Sequence, residues 1–168
     1  MRVSSFNSNE PFFGASGANR FDAPGCPALP EFKTCYLART LTVAMAETIL
    51  HDEMPMAGKF HVASTEIQRR FVIQFDGSDL ALADLTGASL KRLGGHAGLS
   101  GSADYRLTQQ WALAVRLHSA NVDGFVYMSR HVNTQKAVLL FDHARHKITM
   151  RCATVLPKFP GFYHATRK

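Results

Sequence analysis

Short apolar runs bounded by turn residues dominate this sequence, and only two stretches carry helical spacing. The segments Thr34-Cys35-Tyr36-Leu37-Ala38, Arg70 to Phe75, Leu80 to Leu85, Phe125 to Ser129, Ala137 to Phe141 and Lys147 to Val155 read as strands. Asp76-Gly77 reads as the turn of a hairpin joining the second and third of them. A helix is predicted from about Leu41 to His51, with Thr40 or Thr42 as its N-cap. A second is predicted from Thr108 to Ala120, where Trp111, Ala114, Val115 and His118 recur at helical spacing. Several strands with two helices, in no regular alternation, point to an α+β domain. At 168 residues the chain suffices for one compact domain with a core that needs no covalent staples.

Residues 1–35 are rich in Gly, Pro, Asn and Ser and read as a loop-dominated entry segment. Gly94, Gly95, Gly98 and Gly101 mark a flexible loop, and residues 157–168 read as an irregular tail after a domain of residues 2–156. No run approaches the roughly 20 apolar residues of a membrane span, and Met1 to Asn9 lack the apolar stretch of a signal peptide, so the expected location is the cytoplasm. Cys26, Cys35 and Cys152 are odd in number and lack CxxC spacing, which argues for reduced thiols and against a thiolate zinc site. The net charge of +6 suits an anionic partner: a nucleic acid, a phosphorylated small molecule or an acidic protein. The densest basic groups are Gln68-Arg69-Arg70, Lys91-Arg92 and Thr166-Arg167-Lys168, and a solvated basic surface is the favoured account of them.

Glu47 is the most informative single residue. Leu41, Val43, Ala44, Met45, Ala46, Ile49 and Leu50 surround it on nearly every side of a helical wheel, so its helix should be buried. An ionised acid there is costly unless it is hydrogen-bonded structurally or lines a polar cavity. Arg20, just after a Gly-rich turn, offers a planar fork suited to phosphate or carboxylate, or it pairs with Asp22 or Glu10. Ser129 and Arg130 end the apolar run Gly124-Phe125-Val126-Tyr127-Met128, and Tyr36 can present its ring to a planar base or belong to the core. His143 and His146 lie three apart without an evident third ligand and read as surface residues.

The order of these residues carries a resemblance. The stretches Gly14 to Gly25, Cys35 to Ala38 with Ala46-Glu47-Thr48, Ala83 to Gly87, Tyr105 through Trp111-Ala112, and Asp123 to Arg130 resemble the successive blocks of the RES domain, over about residues 2–142. That family is named for an Arg, a Glu and a Ser, and comprises NAD-degrading toxins of bacterial toxin–antitoxin systems. The resemblance implies a fold related to the diphtheria-toxin type of ADP-ribosyltransferase, NAD as substrate rather than cofactor, and an antitoxin partner with an Xre-like region, so that nucleic acid is met only through the antitoxin. It implies that Arg20 holds the pyrophosphate, Tyr36 packs at the nicotinamide end, Glu47 binds a ribose hydroxyl, and Ser129 fixes the nicotinamide or ribose. Arg2 resembles a further Arg near the start of the domain. Family members generally have several residues before it, so the first strand is expected to be absent or replaced here.

These residue types suit cleavage of the nicotinamide–ribose bond. The sugar carbon acquires oxocarbenium character, which a carboxylate stabilises in the transition state more than in the ground state. No metal is required, and inorganic phosphate or water is the expected second reactant, with Arg20 and Arg130 favouring phosphate. Transfer of ADP-ribose to a protein or small molecule is the alternative. A basic nucleic-acid-binding module is a third reading, disfavoured because no RNP-like motif or helix-turn-helix pattern is present.

Overall fold

Two small sheets meet along one seam in the computed structural model, which describes residues 1–51, 53–102 and 104–166. The first sheet holds β1 (Arg2–Ser4), β3 (Phe71–Gly77) and β7 (Ile148–Val155) in the order β1-β3-β7, antiparallel throughout. The second holds β2 (Thr34–Ala38), β4 (Leu82–Leu85), β5 (Gly124–Met128) and β6 (Lys136–Phe141) in the order β2-β6-β5-β4. The Ala38 N–H donates to the Met1 carbonyl at 2.8 Å, tying the end of β2 to the start of β1. The first strand is therefore present: Val3 is buried and pairs opposite Val72, which gives this short strand an apolar anchor.

In β6 every residue from Ala137 to Phe141 is buried, as expected for a strand covered on both faces. Ala137, Leu139 and Phe141 join the main core with Phe21, Phe32 and Phe125, while Val138 and Leu140 join a second cluster with Cys35, Val126 and Ile148. Burial pushes the Cys35 thiol up to about 11, so it acts as a small apolar group rather than a nucleophile. Gly124 lets β5 and β6 approach closely, since a Cβ there would lie 1.9 Å from the Leu139 carbonyl oxygen.

The expected hairpin does not form. Asp76-Gly77 stays inside β3, opposite Thr149 and Ile148, and a Cβ on Gly77 would meet the Lys147 carbonyl oxygen at 2.1 Å. The glycine serves close strand approach, not a turn. Leu82–Leu85 pairs instead with β5, and in parallel, which requires a long crossover. That crossover contains α3 (Gly87–Arg92), α4 (Gly98–Gly101) and α5 (Tyr105–Leu117), so the glycine-rich stretch expected as loop includes a helical turn. Helix α5 starts one turn earlier than predicted because the Asp104 carboxylate caps the Arg106 N–H at 3.0 Å.

Helix α1 spans only Leu41–Ala46, capped by Thr40. Beyond it the N–H groups of Thr48, Ile49 and Leu50 converge on the Met45 carbonyl at 3.2, 2.7 and 3.2 Å, a tightened turn across the β-branched pair Thr48-Ile49. In α2 (Ser64–Gln68) Glu66 pairs with both Arg69 and Arg70, which neutralises part of that basic group. The tail is not wholly irregular: a 3-10 turn at Leu156–Lys158 precedes α6 (Phe162–Ala165), which Phe162 anchors in the core. Arg167 and Lys168 lie outside the described residues. His143 and His146 sit in the 3-10 segment Asp142–Lys147, where His146 Nδ1 meets the His143 carbonyl. The half-buried His143 ring stacks on Phe141, so it is not a surface residue. Among the described residues no helix is long and apolar enough to cross a membrane.

Candidate active site

The loop carrying Arg20 is organised by a buried carboxylate beside it. Asp22 Oδ2 accepts from Ser16 Oγ at 2.8 Å, Asn19 N at 3.2 Å and Asn19 Nδ2 at 2.9 Å. Its Oδ1 accepts from the hydroxyls of Thr34 at 2.9 Å and Tyr36 at 3.3 Å. Phe21 fixes the same loop from beneath, its ring meeting Phe125 and Tyr127 edge-on at 5.0 and 4.9 Å. Helix α5 clamps it from the other side, with the Thr108 hydroxyl donating to the Arg20 carbonyl and Gln109 Nε2 to that of Gly17.

Arg20 is thereby buried to 8% exposure. Its Nη1 donates to the Ser102 carbonyl at 2.5 Å, and the guanidinium lies 4.8 Å over the Tyr105 ring. Pairing with Asp22 or Glu10, the alternative left open by the sequence, is not the arrangement found: Asp22 is filled by neutral donors, and Glu10 lies 3.6 Å from Arg2. Arg20 Nη2 is buried with no hydrogen-bond partner among the described residues. A buried donor left unpaired costs about 1–3 kcal/mol, so an anionic oxygen is the natural complement. Burial pulls the Arg20 guanidinium below its ordinary value, yet an arginine remains charged in proteins.

Glu47 stands at the C-cap of α1 rather than inside a helix, and is half-buried. The tightened turn that follows leaves it at the edge of a cavity of about 320 Å³, which also borders Arg2, Arg20, Tyr36, Tyr127 and Arg130. Ser129, 1% exposed, follows β5 and donates its hydroxyl to Glu47 Oε1 at 2.5 Å, while its Oγ accepts from the Val132 N–H at 3.0 Å. The serine does not itself border the cavity and reaches it through the Glu47 carboxylate. Tyr36 borders the cavity, its hydroxyl accepting from the Phe21 N–H at 3.0 Å. Burial, and then the adjacent Asp22 carboxylate, push its phenol well up, so it stays protonated. Arg2 lies at the cavity, but its Nη1 already donates to the Phe12 carbonyl at 3.2 Å; Arg130 is exposed at the rim.

Three residues that line the cavity were not singled out from sequence. Tyr127 forms part of the cavity wall on β5, and its identity was hidden in an apolar run. His51 and His131 also line the cavity, and with Glu47 they offer ligand atoms that all lie within 4.8 Å of one another. His51 follows Glu47 by four residues, a spacing that signals a shared face. No comparable local signal marks His131, whose imidazole is held below its ordinary value chiefly by desolvation.

Comparison with known proteins places this geometry in context. The crystal structure of the M. tuberculosis MbcT–MbcA toxin–antitoxin complex contains a chain of similar fold, with a TM-score of 0.65 at 16% identity, covering 99% of this chain and 87% of that one. The α+β class expected from sequence holds, and the fold as a whole is shared with that chain. A Sinorhizobium fredii protein named probable toxin y4kH is 29% identical over 103 residues, 61% of this chain and 80% of that protein. The RES domain profile matches residues 1–159, and the chain belongs to the RES domain family.

Proposed function

We infer that this chain is the toxin of a toxin–antitoxin pair and acts by cleaving the nicotinamide–ribose bond of NAD, with phosphate or water as the second reactant. The observation that carries the reading is one cavity bordered by a carboxylate fixed through a buried hydroxyl and by a buried guanidinium with a donor unpaired among the described residues. In this reading Arg20 Nη2 takes an oxygen of the NAD diphosphate. Tyr36 and Tyr127 supply aromatic surface for the nicotinamide end. Glu47 Oε2 meets a ribose hydroxyl and stabilises positive charge as the base departs. Ser129 is a positioning residue that aims the carboxylate. The names of the two similar proteins support the toxin reading, and an antitoxin, proposed to be Xre-like, would cover the cavity.

The decisive assay incubates the purified chain with labelled NAD, with and without phosphate and then with bacterial lysate, and separates products by mass. ADP-ribose 1''-phosphate appearing only with phosphate is the expected result. Free ADP-ribose identifies hydrolysis, and label retained on one protein band as the main product replaces both with a transferase. Release of no nicotinamide under any condition would sink the reading.

Arg20→Ala should raise KM for NAD by about 10- to 100-fold, the scale of one charge-assisted contact, and also slow turnover. Arg20→Lys should recover little, because an ammonium cannot reproduce the fork. Kinetics unchanged in both variants, with a large fall in melting temperature, would return Arg20 to a structural role. Expression in bacteria without an antitoxin should deplete NAD and stop growth. Arrest of equal strength by a Glu47→Gln variant would separate toxicity from NAD chemistry.

A further inference from the structure

Glu47, His51 and His131 come from two segments that the Ser129 hydroxyl already holds together. Glu47 and His51 lie in the tightened turn after α1, and His131 lies in the turn after β5 that contains Ser129. That second turn is itself closed by bonds from the Val132 N–H to Ser129 Oγ at 3.0 Å and from the Ser129 N–H to the Gln135 carbonyl at 2.9 Å. The His51 and His131 rings sit with centroids 5.4 Å apart and planes inclined at 61°. One ligand atom from each of the three residues falls within 4.8 Å of the other two. We propose that these three side chains form a binding site for a divalent transition-metal ion of the zinc type at the cavity, and that the bound ion inhibits the protein.

The donor set suits that ion. Two imidazoles are borderline nitrogen ligands that favour Zn²⁺ over Mg²⁺ or Ca²⁺, and a carboxylate oxygen completes a ligand set that zinc accepts. Bonds of about 2.0–2.1 Å in a tetrahedron place ligand atoms roughly 3.4 Å apart, so a set whose atoms lie within 4.8 Å of one another needs to contract by up to about 1.4 Å. Glu47 stays fixed by Ser129, so the contraction falls on the two imidazoles, which move toward the carboxylate. Three protein ligands leave a fourth position open to water or an anion. Arg20 and Arg130 act on His131 from nearby, and their charges weaken the affinity relative to that of a structural zinc site.

Inhibition follows from what the ion occupies. It takes the carboxylate charge that the Proposed function assigns to the ribose, and it stands in the same cavity; this second half of the inference rests on that reading. Binding itself does not.

Calorimetry with ZnCl₂ on the chelator-treated full chain should show one ion per chain. His51→Ala/His131→Ala should weaken binding by more than about 100-fold, since even losses around the ligands cost about 10–100-fold. His164→Ala, at an exposed site on α6, should leave it unchanged. Co²⁺ should give a visible tetrahedral spectrum with the parent chain and not with the double variant, whose thermal melt should match the parent. Absence of binding, or equal binding by the double variant, overturns the site. Nicotinamide release should be inhibited by Zn²⁺ and restored by EDTA in the parent, and be insensitive in the double variant. Full release with the ion bound overturns the inhibitory role. A parent chain that binds Zn²⁺ but releases no nicotinamide at all defeats the NAD reading and leaves the site standing.

Discussion

Glu47→Gln should lower NAD cleavage by about 10²- to 10³-fold, the range seen when a single transition-state electrostatic partner is removed, with almost no change in melting temperature. The expectation rests on what each end of the carboxylate does. Glu47 Oε1 accepts the Ser129 hydroxyl at 2.5 Å, and the amide oxygen of Gln accepts the same bond, so the turn after α1 and the Ser129 turn stay joined. Shape and packing are kept, and only the negative charge is lost. That charge matters little to bound NAD and much to the oxocarbenium-like ribose, so kcat should fall while KM moves little. Nicotinamide release measured over a range of NAD concentrations, beside a thermal melt, tests both parts. An unchanged kcat removes Glu47 from the chemistry, and a collapsed melt assigns it to the fold instead.

Asp22→Ala should produce the largest loss of stability of any single change near the cavity. The substitution removes the shared acceptor of Ser16 Oγ, both nitrogens of Asn19, Thr34 Oγ1 and the Tyr36 hydroxyl. Asp22 is 1% exposed and Thr34 3%, so water replaces little of what is lost. A broken buried network of this kind costs about 3–5 kcal/mol. For a chain of this size each kcal/mol shifts the melting temperature by about 2–4 °C, so a fall near 10 °C is expected. Asp22→Asn should fall between the parent and the Ala variant, because its amide keeps one acceptor oxygen but turns a second donor toward the amide nitrogens of Asn19. The Ala variant should also weaken NAD binding, since the same carboxylate sets the path of the chain through Arg20. A melt of the Ala variant within about 2 °C of the parent would show that the network contributes little.

Much of the candidate site was legible in the residues alone. An acid among apolar neighbours at Glu47, an arginine after a glycine-rich turn at Arg20, and a small hydroxyl at the end of an apolar strand at Ser129 are local signals, because each is a residue type whose burial demands a partner. The strands β2, β5, β6 and β7 and the core of α5 were likewise read from runs and spacing. Tertiary structure alone decided which partners met. Asp76-Gly77 has the composition of a turn, and only the approach of Lys147 to within 2.1 Å of its absent Cβ shows that the glycine serves a sheet contact. Leu82–Leu85 carries no mark of a parallel partner 40-odd residues later, since pairing direction depends on the crossover. The helix of Glu47 stops at Ala46 because three N–H groups converge on one carbonyl, which spacing does not encode. Arg20 finds the Ser102 carbonyl and the Tyr105 ring rather than Asp22, and His131 arrives beside Glu47 and His51, through folding of segments some 80 residues apart. Local chemistry names the groups that need a partner; long-range packing chooses it, because the free energy of each choice lies in contacts between elements that are distant in the chain.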